Sequence, residues 1–178
     1  EQQPLIEGHI ADSEDGDYYS YEDKFQGQVK TANTTFGETS PDLTPYTSPR
    51  HNQKRTNSCV AQSICKAMEI RNIIRNGPEA HKDLSVRALW YLGREQKGAQ
   101  SHNVGMRISK GLDIVRKFGV PSEEDCPWSE DDIHKSPSMK AMRNAFVNRI
   151  DSHYRVFAYG DDRVALLIEA LSKGYPVV

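Results

Sequence analysis

A cysteine at position 59 stands six residues after a glutamine at position 53, in the segment HNQKRTNSCVAQS that spans 51–63. A helix-like pattern begins at this cysteine, and the free N–H groups and dipole at the amino end of a helix favour a thiolate. A thiolate attacks carbonyl carbons. An upstream amide can share the binding of the resulting oxyanion with the N–H of the cysteine. The pattern predicts Cys59 as a nucleophile and Gln53 as its oxyanion donor.

Both residues also have ordinary structural explanations. A free cysteine is among the most buried residue types and usually behaves as a small, inert apolar group. A glutamine in a loop is most often exposed to solvent. The local pattern by itself therefore leaves a nucleophile and a packed core residue as open alternatives for Cys59.

Helical patterns dominate the chain after residue 58. Apolar residues fall on one face over about 59–75, with Ser58 as a possible cap and the NGP at 76–78 as a stop signal. Asp83 or Ser85 is the expected cap of the next helix. Further helices are predicted over 83–98, 106–119, 136–150 and 161–174, and strands over 152–160 and 175–178.

The first part of the chain has a different composition. Residues 1–50 contain ten acidic residues against three basic ones, with few aliphatic side chains. We expect an extended acidic arm over 1–41 and a folded domain over 42–178. The arm is either a solvated linker, a segment that binds a protein partner, or an inhibitory leader across the cleft. The prolines at 41, 45 and 49 predict an extended segment ahead of the domain.

Composition and termini limit the possible classes of function. The formal net charge of −2 and pI near 6.3 give no reason to expect nucleic acid binding. No apolar run reaches membrane-spanning length. The three cysteines form no C-x-x-C pair, and no histidines lie at zinc-ligand spacing. We therefore expect no metal site, no cofactor and no disulfide framework. A reducing, cytoplasmic location is favoured over a disulfide-rich secreted one. Both ends look cut, so we expect a longer polypeptide.

The segment QKRTNSCVAQS resembles the papain-like cysteine peptidases, in which a glutamine precedes the catalytic cysteine by six residues and a long helix follows. The segments DLTPYTSPRHNQ, LSVRALWYLGRE and GLDIVRKFGVPSEEDCPW resemble left-domain segments of a divergent branch found in bacteria and bacteriophages. The resemblance covers about 42–178. It implies an α+β papain-like fold, with a helical left domain and the start of the β-barrel right domain.

The resemblance also implies a function. The chain would be an endopeptidase acting on peptides or proteins, with Cys59 as nucleophile and Gln53 as oxyanion donor. The loop of Asn103, Val104 and Gly105 would form the wall along the substrate backbone; otherwise it is a plain loop between helices. The family's histidine follows a strand like the terminal YPVV, so the general base is expected beyond Val178.

Four observations favour an alternative. Lys54 stands where a glycine is common in the family, and Val60 stands where an aromatic residue is common. The other two are the long acidic arm and the missing histidine. Thr56 stands where many secreted members of that family carry a bridged cysteine, which is consistent with the absence of a disulfide. The alternative is a catalytically weakened papain-like module with a structural or binding role, for example a component of a bacteriophage virion or tail.

Overall fold

The computed structural model describes residue 20, residues 41–49 and residues 51–178. Five α-helices lie within these ranges: α1 (Cys59–Asn76), α2 (Val86–Glu95), α3 (Ile108–Phe118), α4 (Met139–Ala145) and α5 (Gly160–Ser172). Two short 3₁₀ helices, Thr44–Tyr46 and Pro78–Ala80, precede α1 and α2 respectively. None of the helices in the described ranges is both long enough and apolar enough to cross a bilayer.

The main core forms where α1, α2 and α3 pack against one another. Its buried apolar residues come from all three helices and from the segments between and after them: Val60, Ala61, Ile64, Cys65, Leu84, Val86, Leu89, Trp90, Met106, Ile114, Val115, Val120 and Ile133. Gly111 of α3 lies against Ile64 of α1, and a Cβ at this position would overlap the Ile64 side chain. The absence of a side chain at Gly111 therefore lets α3 approach α1 closely.

The helix boundaries follow the local signals in the sequence. Ser85 caps α2, because its hydroxyl accepts the N–H of Ala88 at 3.1 Å. α1 begins at Cys59 and ends at Asn76, and Gly77 follows with a φ of 87°. The predicted helix over 136–150 is shorter in the structure, at 139–145. The segment ahead of α1, predicted to be extended, contains the 3₁₀ turn at 44–46, where Pro45 fits because the first turn of a helix needs no N–H donor there.

The strands predicted over 152–160 and 175–178 are not paired into a sheet within the described ranges. The isolated bridges found there join Ser20 to Arg155 in parallel and Leu84 to Ser122 in antiparallel orientation. Residues 154–158 instead pack against Leu166 and Ala170 of α5. An alternating pattern predicts extended backbone, but a strand also needs a neighbour with which to exchange hydrogen bonds. The start of a β-barrel is therefore not confirmed.

The acidic arm predicted over 1–41 lies outside the described residues, apart from Ser20 and Pro41. The division into an arm and a domain thus remains a prediction. At the other end of the chain, Arg71 of α1 donates to the carbonyl of Gly174 at 2.8 Å and lies over the ring of Tyr175. These contacts attach the segment after α5 to α1.

Two glycines with positive φ provide a matched test of the packing after α3. Gly119 has a φ of 77°, and a Cβ there would overlap the backbone carbonyl of Ala145; Gly98 has a φ of 65° with open space around it. We expect Gly98→Ala to lower the free energy of unfolding by about 1 kcal/mol from backbone strain, and Gly119→Ala by about 3 kcal/mol from strain plus overlap. Urea unfolding measures both, and equal losses would contradict the contact.

Candidate active site

Cys59 differs in accessibility from the other two cysteines. All three are free thiols, but Cys59 is half-buried whereas Cys65 and Cys126 are buried. Burial, followed by the nearby Glu69 carboxylate, raises the pKa of the Cys65 thiol well above its ordinary value. Of the three cysteines, Cys59 is therefore the one that a reagent or substrate in solution can reach.

The amino end of α1, where Cys59 lies, has no side-chain cap. Ser58 occupies the cap position but accepts no capping hydrogen bond, and no acidic residue lies in the first turn. The Ser58 hydroxyl instead lies 2.9 Å from the hydroxyl of Thr56. The first N–H groups of α1 therefore keep their partial positive charge beside the sulfur, which favours negative charge developing there.

Gln53 is held in a tight turn ahead of Cys59. Its amide Nε2 donates to the carbonyl of Thr56 at 2.9 Å, and the Thr56 hydroxyl donates back to the Gln53 carbonyl at 2.6 Å. The second N–H of the Gln53 amide has no acceptor among the described residues. The Gln53 side chain is thus held by the turn that precedes Cys59.

Lys54 adopts a left-handed conformation, with a φ of 52°. Its N–H donates to the side chain of Asn52 at 2.8 Å, and its ammonium lies 3.6 Å from the Glu130 carboxylate. A left-handed residue is the usual reason for glycine in a turn. The lysine therefore keeps the backbone shape that a glycine at this position would permit, with local contacts that offset the strain.

Asn103 joins its own loop to the turn before Cys59. Its side-chain oxygen accepts the N–H of Asn57 at 2.8 Å, and its side-chain Nδ2 donates to the Arg55 carbonyl at 2.9 Å. The Asn57 side chain donates in return to the Asn103 carbonyl at 2.8 Å. The loop predicted as a substrate wall therefore lies next to the turn that carries Gln53, and we call these three bonds the asparagine clamp.

The fully buried side chain of Arg94 holds the loop that contains Asn103. The Arg94 guanidinium donates to the carbonyls of Gln100 at 3.0 Å and His102 at 2.8 Å, and stacks on the ring of Trp90. Trp90 also donates from its ring N–H to the Val104 carbonyl at 2.9 Å. Because Arg94 is removed from water, its pKa is lowered to about 10.

A cluster of His51, Glu69 and Asp83 could in principle hold a cation, since their ligand atoms lie within 4.8 Å of one another. Glu69 is buried, and it already accepts the Lys66 ammonium at 2.6 Å and the N–H of Leu84 at 2.9 Å. The lysine supplies the positive charge that a metal ion would bring. We therefore interpret the cluster as an ion-pair network that holds the segment before Gln53 against α1.

Beside this network lies a cavity of about 210 Å³, lined by His51, Asn52, Gln62, Asp83, Val86, Glu123 and Trp128. Burial raises the pKa of the Glu123 carboxyl, and the N–H of Trp128 and the nearby His51 partly oppose this shift. Cys59 does not line the cavity.

The described histidines do not provide a base for Cys59, since none of the five forms a hydrogen bond with its sulfur. His51 and His81 both approach Asp83 Oδ1, at 3.5 and 3.3 Å. His153 lies near Asp113, and burial lowers its pKa. The other two, His102 and His134, are exposed.

The structure is similar to the crystal structure of xylellain, a cysteine protease from Xylella fastidiosa, with a TM-score of 0.75 and 23% sequence identity. The chain has a papain-like fold. The match covers 94% of this chain and 63% of the xylellain chain, so the papain-like chain described here spans less than two thirds of that protease. No protein-family model and no curated relative matches the sequence.

Three supporting residues were missed in the sequence: Asn57, Glu69 and Arg94. Two of them carry a visible signal, because Glu69 shares a helical face with the buried Cys65 and Ile73, and Arg94 follows Trp90 by one turn. A charged residue within an apolar stripe indicates a buried polar network. Asn57 carries no such signal, since its partners come from a distant loop.

Replacing Arg94 should destabilise the papain-like domain. Arg94→Met removes the guanidinium donors of the Gln100 and His102 carbonyls, and we expect a loss of about 3 kcal/mol in the free energy of unfolding. Urea unfolding provides the measurement. Arg143→Met, at an exposed arginine of α4, is the matched control and should stay within about 0.5 kcal/mol of wild type. Similar losses in the two variants would contradict this role of Arg94.

Replacing Glu123 should change how stability depends on pH. Burial raises the pKa of Glu123 in the folded state, so the folded protein binds this proton more tightly than the unfolded chain does. The contribution of Glu123 to stability therefore falls as pH rises above the pKa of the unfolded chain, roughly 4.3. Glu123→Gln removes this charge and keeps an acceptor for Trp128. We expect its Tm to exceed that of wild type at pH 7 and to approach it at pH 4. A difference independent of pH would contradict the assignment.

Proposed function

We propose that this chain carries the nucleophile and oxyanion site of a papain-like cysteine endopeptidase. The observation that supports this best is the half-exposed Cys59 at the uncapped start of α1, with the fixed amide of Gln53 just upstream. The similarity to xylellain adds a fold in which a cysteine protease site is known. Peptides or proteins are the proposed substrates.

In the proposed reaction, the Cys59 sulfur attacks the carbonyl carbon of a peptide bond. The carbonyl oxygen becomes an oxyanion, which the free N–H of the Gln53 amide and the backbone N–H of Cys59 bind. The general base takes the thiol proton and returns it to the amine as the C–N bond breaks, which leaves a thioester that water then hydrolyses. We assign the base to a histidine beyond residue 178, because none of the described histidines forms a hydrogen bond with the Cys59 sulfur.

The loop of Asn103, Val104 and Gly105 is the proposed wall along the substrate backbone. The Val104 carbonyl is already bonded to Trp90, and the Asn103 side chain takes part in the asparagine clamp. Contacts with a peptide would therefore come from the remaining exposed surface of this loop rather than from those groups.

Selective alkylation tests the nucleophile. We expect an epoxysuccinyl reagent to modify Cys59 at least about tenfold faster than Cys65 or Cys126, because Cys59 alone is accessible and lies at a helix amino end. Mass spectrometry of tryptic peptides gives the three rates. In urea the three cysteines should react at similar rates, which controls for intrinsic reactivity.

Equal rates in the folded protein would contradict a nucleophilic Cys59. That outcome would favour the alternative, in which the papain-like fold serves a structural or binding role. A virion component is one example of such a role.

Substitution of Gln53 tests the oxyanion donor. We expect Gln53→Ala to lower kcat for a peptide substrate by about 10²–10³-fold with little change in KM, because the donor acts on the charge that develops during attack. The matched control is Gln96→Ala, at an exposed glutamine after α2, which should leave kcat unchanged. A Gln53→Ala enzyme as active as this control would overturn the assignment.

A further inference from the structure

We propose that Asn103 is a positioning residue that orients the oxyanion donor Gln53 through a single peptide unit, rather than a residue that binds substrate through its side chain. This inference rests on the proposed function. It differs from the role expected for this loop, because it assigns the Asn103 amide to the turn that carries the donor.

The coupling passes through the peptide bond between Thr56 and Asn57. The N–H of this peptide donates to Asn103 Oδ1 at 2.8 Å, and its carbonyl accepts the Gln53 amide at 2.9 Å. A trans peptide is planar, with its N–H and C=O pointing in opposite directions. Fixing the N–H on Asn103 therefore fixes the direction of the carbonyl that holds Gln53.

Asn103 also holds the preceding peptide. Its Nδ2 donates to the Arg55 carbonyl, so the two peptide units on either side of the Thr56 Cα are both bonded to one asparagine side chain. Two such anchors leave little rotation about the backbone of Thr56. The Thr56 hydroxyl also closes the turn by donating to the Gln53 carbonyl.

The loop that carries Asn103 and the turn that it contacts are both held by further hydrogen bonds. Buried Arg94 fixes the carbonyls that precede Asn103, and Trp90 fixes the carbonyl that follows it. Across the turn, Glu130 accepts the N–H of Arg55 at 3.3 Å. Removing the Asn103 side chain should therefore release the Gln53 amide while leaving α1 and Cys59 in place.

Two reagents that react with the same sulfur separate these effects. A peptide aldehyde adds the Cys59 thiol across its C=O bond: the S–C bond forms, the proton ends on the carbonyl oxygen, and no group leaves. That oxygen occupies the oxyanion site. Iodoacetamide forms an S–C bond and releases iodide, so it creates no oxyanion. Comparing a variant's change in aldehyde affinity with its change in iodoacetamide rate separates binding at the oxyanion site from reactivity of the thiol.

We expect Asn103→Ala to weaken binding of a peptide aldehyde by about tenfold, less than the loss from removing Gln53 outright. The iodoacetamide rate at Cys59 should stay within about twofold of wild type, since the start of α1 is unchanged. The matched control is Asn144→Ala, at an exposed asparagine of α4 bonded to Asp125, which should change neither value.

A double-mutant cycle decides whether Asn103 acts through Gln53. If it does, Asn103→Ala should cause no further loss in a Gln53→Ala background. Additive losses would overturn the proposal, because they would mean that Asn103 contacts the ligand independently. Aldehyde binding in Asn103→Ala as tight as in Asn144→Ala would overturn it as well.

Failure of the proposed function has a different signature. In that case wild-type protein would bind no aldehyde, its Cys59 would react no faster than Cys65 or Cys126, and the positioning role would fall with it. Hydrogen exchange at the Asn57 amide would then still report on the asparagine clamp alone, which Asn103→Ala should open. If only the positioning role is wrong, wild-type protein would bind the aldehyde tightly and Asn103→Ala would bind it equally tightly.

Discussion

The placement of Cys59 depends on the burial of α1 between α2 and α3. Val60, Ala61 and Ile64 lie in the core and fix the rotation of the helix, and Cys59 packs against the same core while staying half-buried. The neighbouring Ser58 is buried and makes no capping hydrogen bond. The apolar packing of α1 therefore holds Cys59 at a helix amino end whose first N–H groups have no side-chain cap.

Two buried charged residues connect this core to the loops around Cys59. Glu69 is paired with Lys66, whereas the hydrogen bonds of Arg94 in the described ranges go to backbone carbonyls. Burying an unpaired guanidinium is unfavourable, and several carbonyl acceptors together offset that cost. Since the carbonyls of Gln100 and His102 lie on the loop before Asn103, the buried charge fixes part of that loop to the core. The geometry near the thiol is therefore tied to the stability of the whole helical unit.

The sequence predicted the parts of the site that depend on local pattern. The start of α1 at Cys59, its end before Gly77 and the Ser85 cap of α2 all follow from signals within a few residues. Within residues 41–49 and 51–178 the strands predicted at 152–160 and 175–178 do not pair into a sheet, because pairing depends on a distant partner that no local pattern reveals. The asparagine clamp was missed for the same reason, since 46 residues separate Asn57 from Asn103.

The departures at Lys54 and Thr56 point to a turn that is shaped without glycine and without a disulfide. Lys54 holds the left-handed backbone with help from Asn52, and Thr56 closes the turn through its hydroxyl. Hydrogen bonds from Asn103 hold the backbone on both sides of Thr56. Hydrogen bonds of this kind do not change with redox conditions, whereas a disulfide opens under reduction. The geometry of the turn thus needs no oxidising environment, and the free Cys59 can remain a thiol beside it.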